Sequence, residues 1–209
     1  MTKRRYDPEA ARDDILDAAE RLFAGKGFDG VSTAAIAKEA GVSQSQIHYH
    51  FDTKQKLWDQ VMGRRFADYF AAQSLLLDDQ QTDELARLRD SIASYWRFFE
   101  KYPNYVKLLS RADLDRAPTV RPEDEGPAEE MADELMVRGA EIIAAAQRSG
   151  AIRDDVRPEF VILGFLSLVA HWFHTGRHIM PDRHDVAADH HQQEYLDFIT
   201  RVYLRGIAP

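Results

Sequence analysis

Apolar residues recur with a helical period along almost the whole chain, and no pair of alternating segments suggests a sheet. Asp7-Pro8-Glu9 reads as a helix start. Asp caps, Pro suits the first helical position and Glu favours the positive end of the helix dipole. Ile15, Ala19, Leu22 and Phe23 then form one stripe, and Gly25, Gly27 and Gly30 close it with a turn. Ser32 caps a short helix over Thr33 to Ala40, which Gly41-Val42-Ser43 breaks. Ser43-Gln44-Ser45-Gln46 has the spacing of a capping box and opens a helix of roughly two turns to Phe51. Asp52-Thr53-Lys54 restarts the chain as a longer helix through Leu57, Val61, Phe66 and Phe70.

Later stripes are longer. Leu85, Leu88, Ile92, Trp96 and Phe99 mark one helix, and Pro103 starts a short one over Tyr105 to Leu109. Residues 116–127 carry three prolines and read as a loop or connection. Met131, Leu135, Gly139, Ile142 and Ala146 mark the next helix, closed by Gly150. The segment from Phe160 to about Thr175 is apolar all round, and Tyr195, Phe198, Ile199 and Val202 define the last helix. The pattern predicts an all-α fold: an N-terminal three-helix domain with a helix-turn-helix over residues 1–53, then a C-terminal helical bundle over 54–209.

Composition narrows the field. With 209 residues, 44% of them apolar, the chain buries a real core. The absence of cysteine excludes disulfides, thiolate metal sites and a cysteine nucleophile. The longest apolar run, 160–173, is too short to span a bilayer comfortably, and the start of the chain is charged, without a secretory signal. A cytoplasmic protein with no membrane partner is expected. Residues 1–56 hold nine basic and nine acidic side chains, so the net charge of −8 falls on the second part.

The chemistry concentrates in residues 33–51. A short helix, a three-residue turn and a second short helix form a helix-turn-helix, with Gly41 supplying the backbone freedom of the turn. With Ile47 placed inward, Phe51 joins it on the core side, while Ser45 and Tyr49 point almost opposite, flanked by Gln46 and His48. Gln44 sits at the tip. Amides, hydroxyls and an aromatic ring on one face suit base edges in a major groove. Base reading is assigned to Gln44, Ser45, Gln46 and Tyr49, and phosphate contact to Thr33, His48, His50 and Lys54. Lys3-Arg4-Arg5 forms a basic arm, open to a DNA-backbone role or a solvated one.

The stretch ILDAAERLFAGKGFDGVSTAAIAKEAGVSQSQIHYHFDTKQKL resembles the TetR family of transcriptional regulators. The glycine turn, the IA-x-x-AGVS segment, the aromatic-rich end IHYHF and the lysine opening the next helix occur in register, over about a quarter of the chain. Where the family carries a tyrosine after the apolar residue, this chain has His48, which retains a hydrogen-bond donor. The resemblance implies a repressor that binds a palindromic operator as a homodimer. It also implies a C-terminal domain that dimerises and binds a small effector, with no catalytic role.

For the second part, an all-apolar helix at 160–173 needs cover on every side, either from its own bundle or from a second subunit. The resemblance makes an effector pocket plausible, and a mainly apolar or aromatic effector is expected. Trp96, Phe99, Tyr102, Tyr105, Met131, Leu135 and Trp172 are its candidate lining, with Arg111, Arg138 or Arg177 to orient a polar group. Six of the eight histidines lie between 171 and 191, and His171, His174 and His178 share a helical spacing. An alternative is therefore a helical-bundle metal-binding enzyme using that cluster. No motif supports it: Glu-x-x-His, HExxH and phosphate-binding glycine loops are missing from the sequence. Neither metal nor cofactor is expected. A third reading is a ligand-binding protein that acts through protein partners.

Overall fold

A computed structural model describes residues 7–79, 83–115, 127–180 and 188–209. Helices α1 (Pro8–Lys26), α2 (Thr33–Ala40) and α3 (Gln44–Phe51) form the amino-terminal domain, followed by α4 (Lys54–Asp78), α5 (Glu84–Lys101) and α6 (Pro103–Asp115). Then come α7 (Pro127–Ser149), α8 (Pro158–His171), a π-helical turn (Trp172–Gly176), the single turn α9 (Arg177–Ile179) and α10 (Ala188–Gly206). The described residues contain no strand. The basic arm Lys3-Arg4-Arg5, the loop over 116–126, His184 and the side chains of Arg177 and His190 lie outside what is described.

Each amino-terminal helix is closed by its own sequence. Asp7 accepts from the backbone N–H groups of Glu9 and Ala10, Ser32 from that of Ala35, and Thr53 from that of Lys56. Gly27 and Gly41 end α1 and α2 at φ 75° and 69°, where a side chain would be strained. Ile15, Leu16, Phe23, Ile36, Ile47, Phe51, Leu57 and Val61 fill the interior, joined by Leu108 from α6. The division at 53/54 therefore falls at the start of a helix whose first two turns pack with the domain before it.

α4 continues into the second core, where Tyr69 packs with Ile92, Trp96, Phe99 and Phe165. Two interdomain ties hold it in place. Glu20 of α1, nearly buried, accepts from Arg65 at 2.8 Å and Arg64 at 3.2 Å, and Arg64 also reaches Asp17 at 2.6 Å. Arg65 lies 4.7 Å from the Tyr102 ring centre, and the Tyr102 hydroxyl donates to Asp68. At the other end of the domain Arg111 of α6 donates to the carbonyls of Ala24 and Gly25, closing the last turn of α1.

The segment expected to be apolar all round is covered on one side only. Val161, Ile162, Phe165 and Val169 are buried, whereas Phe160 and Leu163 of α8 and Phe198 and Val202 of α10 are each more than half exposed.

Candidate nucleic-acid interface and ligand cavity

Ser43 begins α3 with a reciprocal capping box. Its hydroxyl accepts from the Gln46 N–H, and its own N–H donates to Gln46 Oε1 at 2.8 Å. Ile47 and Phe51 are buried, and Ile47 anchors the helix in the domain core. The opposite face is open: Gln44, Ser45 and His48 are exposed, and Tyr49 is 79% exposed. The two-turn rod is thus held by its inner face and presents polar groups outward, as a major-groove reader requires.

The remaining assigned residues fall into place around that face. Thr33, at the start of α2, accepts a hydrogen bond from Gln44 Nε2 at 2.9 Å. His48 Nδ1 lies 3.1 Å from the Asp52 carbonyl and donates to it, which leaves Nε2 to face outward, a donor only when the ring is charged. His50 is half-buried, edge-on to Tyr49 with ring centres 5.0 Å apart. Lys54 differs from expectation. Its ammonium donates inward to the Phe28 carbonyl at 3.1 Å and the Val31 carbonyl at 3.3 Å, and sits 4.1 Å from the Phe28 ring centre. Two carbonyls of the turn before α2, that of Phe28 already accepting from the Val31 N–H, hold the cation inward.

A cavity of about 190 Å³ opens in the bundle between α4, α5, α7 and α8. That is more room than an engineered cavity of about 150 Å³ that takes up benzene. Phe66, Tyr69, Leu88, Leu135, Ile142 and Phe165 supply much of its apolar wall, while Gln73, Glu84, Arg87, Ser91 and Tyr95 add polar groups. Gln73 is buried and donates to the Ser91 carbonyl at 3.1 Å. Burial pushes both the Tyr69 and Tyr95 phenols well above their ordinary value, so both are neutral donors.

Of the seven residues expected to line a pocket, the structure brings Leu135 alone to this cavity. Trp96, Phe99, Tyr105 and Trp172 are buried in packed core, with the Trp172 ring stacked on Tyr195 at 4.5 Å. Tyr102 is turned to α4, and Met131 lies outside the lining. Arg111 closes α1 as described, and Arg138 binds Ser74, Asp78 and Glu134 away from the cavity. The missed lining had a signal. Phe66, Tyr69, Gln73 and Leu77 recur at i, i+3, i+7 and i+11 along one stripe of α4, with an amide among apolar neighbours.

Among the described residues the histidines do not gather into one site. The π-helical turn over Trp172–Gly176 changes the register between His171 and His178, and among the described residues no group of three histidines or carboxylates is placed to hold a metal ion.

Two domains of this kind, one presenting a polar two-turn helix and one enclosing a cavity, define a helix-turn-helix DNA-binding regulator. The family model for bacterial regulatory proteins of the tetR family matches residues 15–61. The transcriptional repressor NicS of Pseudomonas putida is 28% identical over 206 residues, covering 98% of this chain and 95% of that protein. Among solved structures, the ketosteroid transcriptional regulator KstR2 of Mycobacterium tuberculosis superposes with a TM-score of 0.72 at 18% identity, covering 95% of each chain. The TetR family regulator PfmR of Thermus thermophilus superposes with a TM-score of 0.70 at 22% identity, covering 91% of this chain and 95% of that one. Those two likenesses establish the fold. Residues 15–61 thus carry the tetR-family match, and the chain as a whole is similar to a transcriptional repressor along almost its full length. It is a DNA-binding transcription factor and not an enzyme, which sets aside the histidine-based alternative.

Proposed function

We propose that this regulator is a ligand-responsive repressor acting in the cytoplasm. Two copies pair through the exposed apolar residues of α8 and α10 and dock their α3 helices in successive major grooves of a palindromic operator. Half-sites about 34 Å apart match that twofold arrangement. Gln44, Ser45, Gln46 and Tyr49 face the bases, and Thr33, His48 and His50 meet phosphates. Lys54 supports this surface by holding the turn before α2. A relative described as a repressor supports the sign of regulation. No helix among the described residues is long and apolar enough to cross a membrane.

The observation that carries the reading is the continuity of α4. Leu57 and Val61 sit in the core that holds α3, and Phe66, Tyr69 and Gln73, farther along the same helix, wall the cavity. A small, mainly apolar or aromatic molecule in the cavity presses on a rod whose other end positions the reading helix. Coupling of about 1–3 kcal/mol between the two sites is enough to release the operator.

The test is a gel-shift titration of the full-length protein against DNA flanking its own gene, over a range of salt. Specific binding that weakens steeply with salt is expected, with Tyr49→Ala at least about tenfold weaker and its thermal midpoint unchanged. A flat salt response, or an unchanged affinity in the Tyr49 variant, overturns the assigned face.

A further inference from the structure

We propose that the Ser43 cap sets which base edges Gln46 reads, by fixing the hydrogen-bond polarity of its amide. The inference rests on the DNA-reading face proposed above and follows from counting protons around the cap.

Gln46 Oε1 meets the Ser43 N–H at 2.8 Å and the Ser43 hydroxyl at 3.0 Å. A backbone N–H only donates, so the atom it meets is the amide oxygen, and the amide nitrogen faces the other way. Gln46 therefore offers two N–H donors outward while its oxygen is occupied. The Ser43 hydroxyl also lies 2.9 Å from the Ser45 hydroxyl, where either can donate, so exposed Ser45 keeps both roles. Gln44 is set differently. It gives one N–H to Thr33 Oγ1 and retains a second N–H and its oxygen.

The two glutamines thus carry different polarities. Gln44 presents a donor and an acceptor, the pair that matches adenine N6 and N7. Gln46 presents donors alone, which fit guanine O6 and N7 or thymine O4 and not the mixed edge of adenine. Residue type alone would assign both glutamines to adenine, and the cap separates them.

The experiment selects binding sites for the full-length protein from random duplex DNA. It then measures relative affinity for every single base-pair change of the selected half-site. Gln46→Glu keeps the acceptor that closes the cap and replaces the outward donors by an acceptor. One base pair should change preference from guanine or thymine to cytosine, with discrimination there altered about tenfold or more and the other positions unchanged. Ser43→Thr keeps both cap and proton and should leave the preferences as they are. Ser43→Pro, at a position whose φ of −79° proline adopts, removes the N–H and the hydroxyl that hold the Gln46 oxygen, so adenine should become accepted at the Gln46 base pair, whatever uniform loss the missing cap brings. Relative preferences identical in wild type, Gln46→Glu and Ser43→Pro overturn this inference alone, as does adenine at the Gln46 position in wild type. A protein that selects no sequence overturns the DNA-reading face as well. Circular dichroism of each variant checks that α3 is intact, and should Gln46→Glu fail to fold, the two Ser43 variants decide.

Discussion

In the amino-terminal domain helix ends and interior are closed by the chain itself. Asp7, Ser32, Ser43 and Thr53 cap four helix starts, and Ile15, Phe23, Ile36, Ile47 and Leu57 are wholly or almost wholly buried. The bundle is built differently. α8 begins at Arg157 without a side-chain cap, turns Phe160 and Leu163 outward, and shares with α4, α5 and α7 a cavity in the middle of the core. One region satisfies its backbone and apolar groups locally. The other leaves apolar surface and open space, which the proposed second copy would cover and the proposed effector would fill.

The largest effect should come from spoiling the uncovered face. Phe198→Asp together with Val202→Asp places two carboxylates on the exposed stripe of α10, where they remain hydrated in the monomer and repel across a twofold axis. Sedimentation should find a monomer in place of a dimer, and operator affinity should fall on the order of a hundredfold as the second half-site stops being an intramolecular contact. A wild-type protein that sediments as a monomer while binding its operator would remove the basis of the comparison.

Next in size is damage to the completed side. Ile47→Ala empties a fully buried position between α3 and its domain, at about 2–5 kcal/mol. Hydrogen exchange should show α1 to α3 losing protection while α5, α7 and α8 keep theirs. Equal loss in both regions would mean that Leu108 and the Glu20–Arg64–Arg65 tie weld the two cores into one cooperative unit.

The same contrast explains what could be read from residues alone. The bounds of α2 and α3, the caps at Ser32 and Ser43 and the left-handed turn at Gly41 match expectation because each is written within four or five residues. The outward face of α3 followed from placing Ile47 inward. The direction of the Lys54 ammonium was not legible, because its acceptors are carbonyls 23 and 26 residues away. The cavity was missed for a related reason. Large aromatics were expected to line it, yet Trp96, Phe99 and Trp172 pack against other rings and fill space. A void forms where chains from four helices fail to meet, and the α4 stripe with Gln73 among apolar neighbours marks one wall of it without showing the other three.

The smallest effect separates the two regions by pH. The Tyr203 hydroxyl of α10 donates to the Val161 carbonyl of α8, and its ring lies against Gly164, where a Cβ would come within 2.9 Å. Burial pushes this phenol up to about 12, and Tyr69 and Tyr95 are shifted in the same direction. An unfolded tyrosine titrates near 10. The folded bundle therefore holds these protons more tightly than the unfolded chain does. The resulting stability is fully present below about pH 10 and drains away as pH rises toward about 12. The described tyrosine of the amino-terminal domain, Tyr49, is on the surface. Tyr203→Phe should cost about 0.5–1.5 kcal/mol at pH 8 through the lost hydrogen bond. The gap from wild type should then narrow in alkaline solution, because the variant has no phenol at this position left to ionise. Thermal midpoints measured from pH 8 to 12 decide it: a gap that stays constant across that range would mean that Tyr203 is ionised as easily in the folded bundle as out of it.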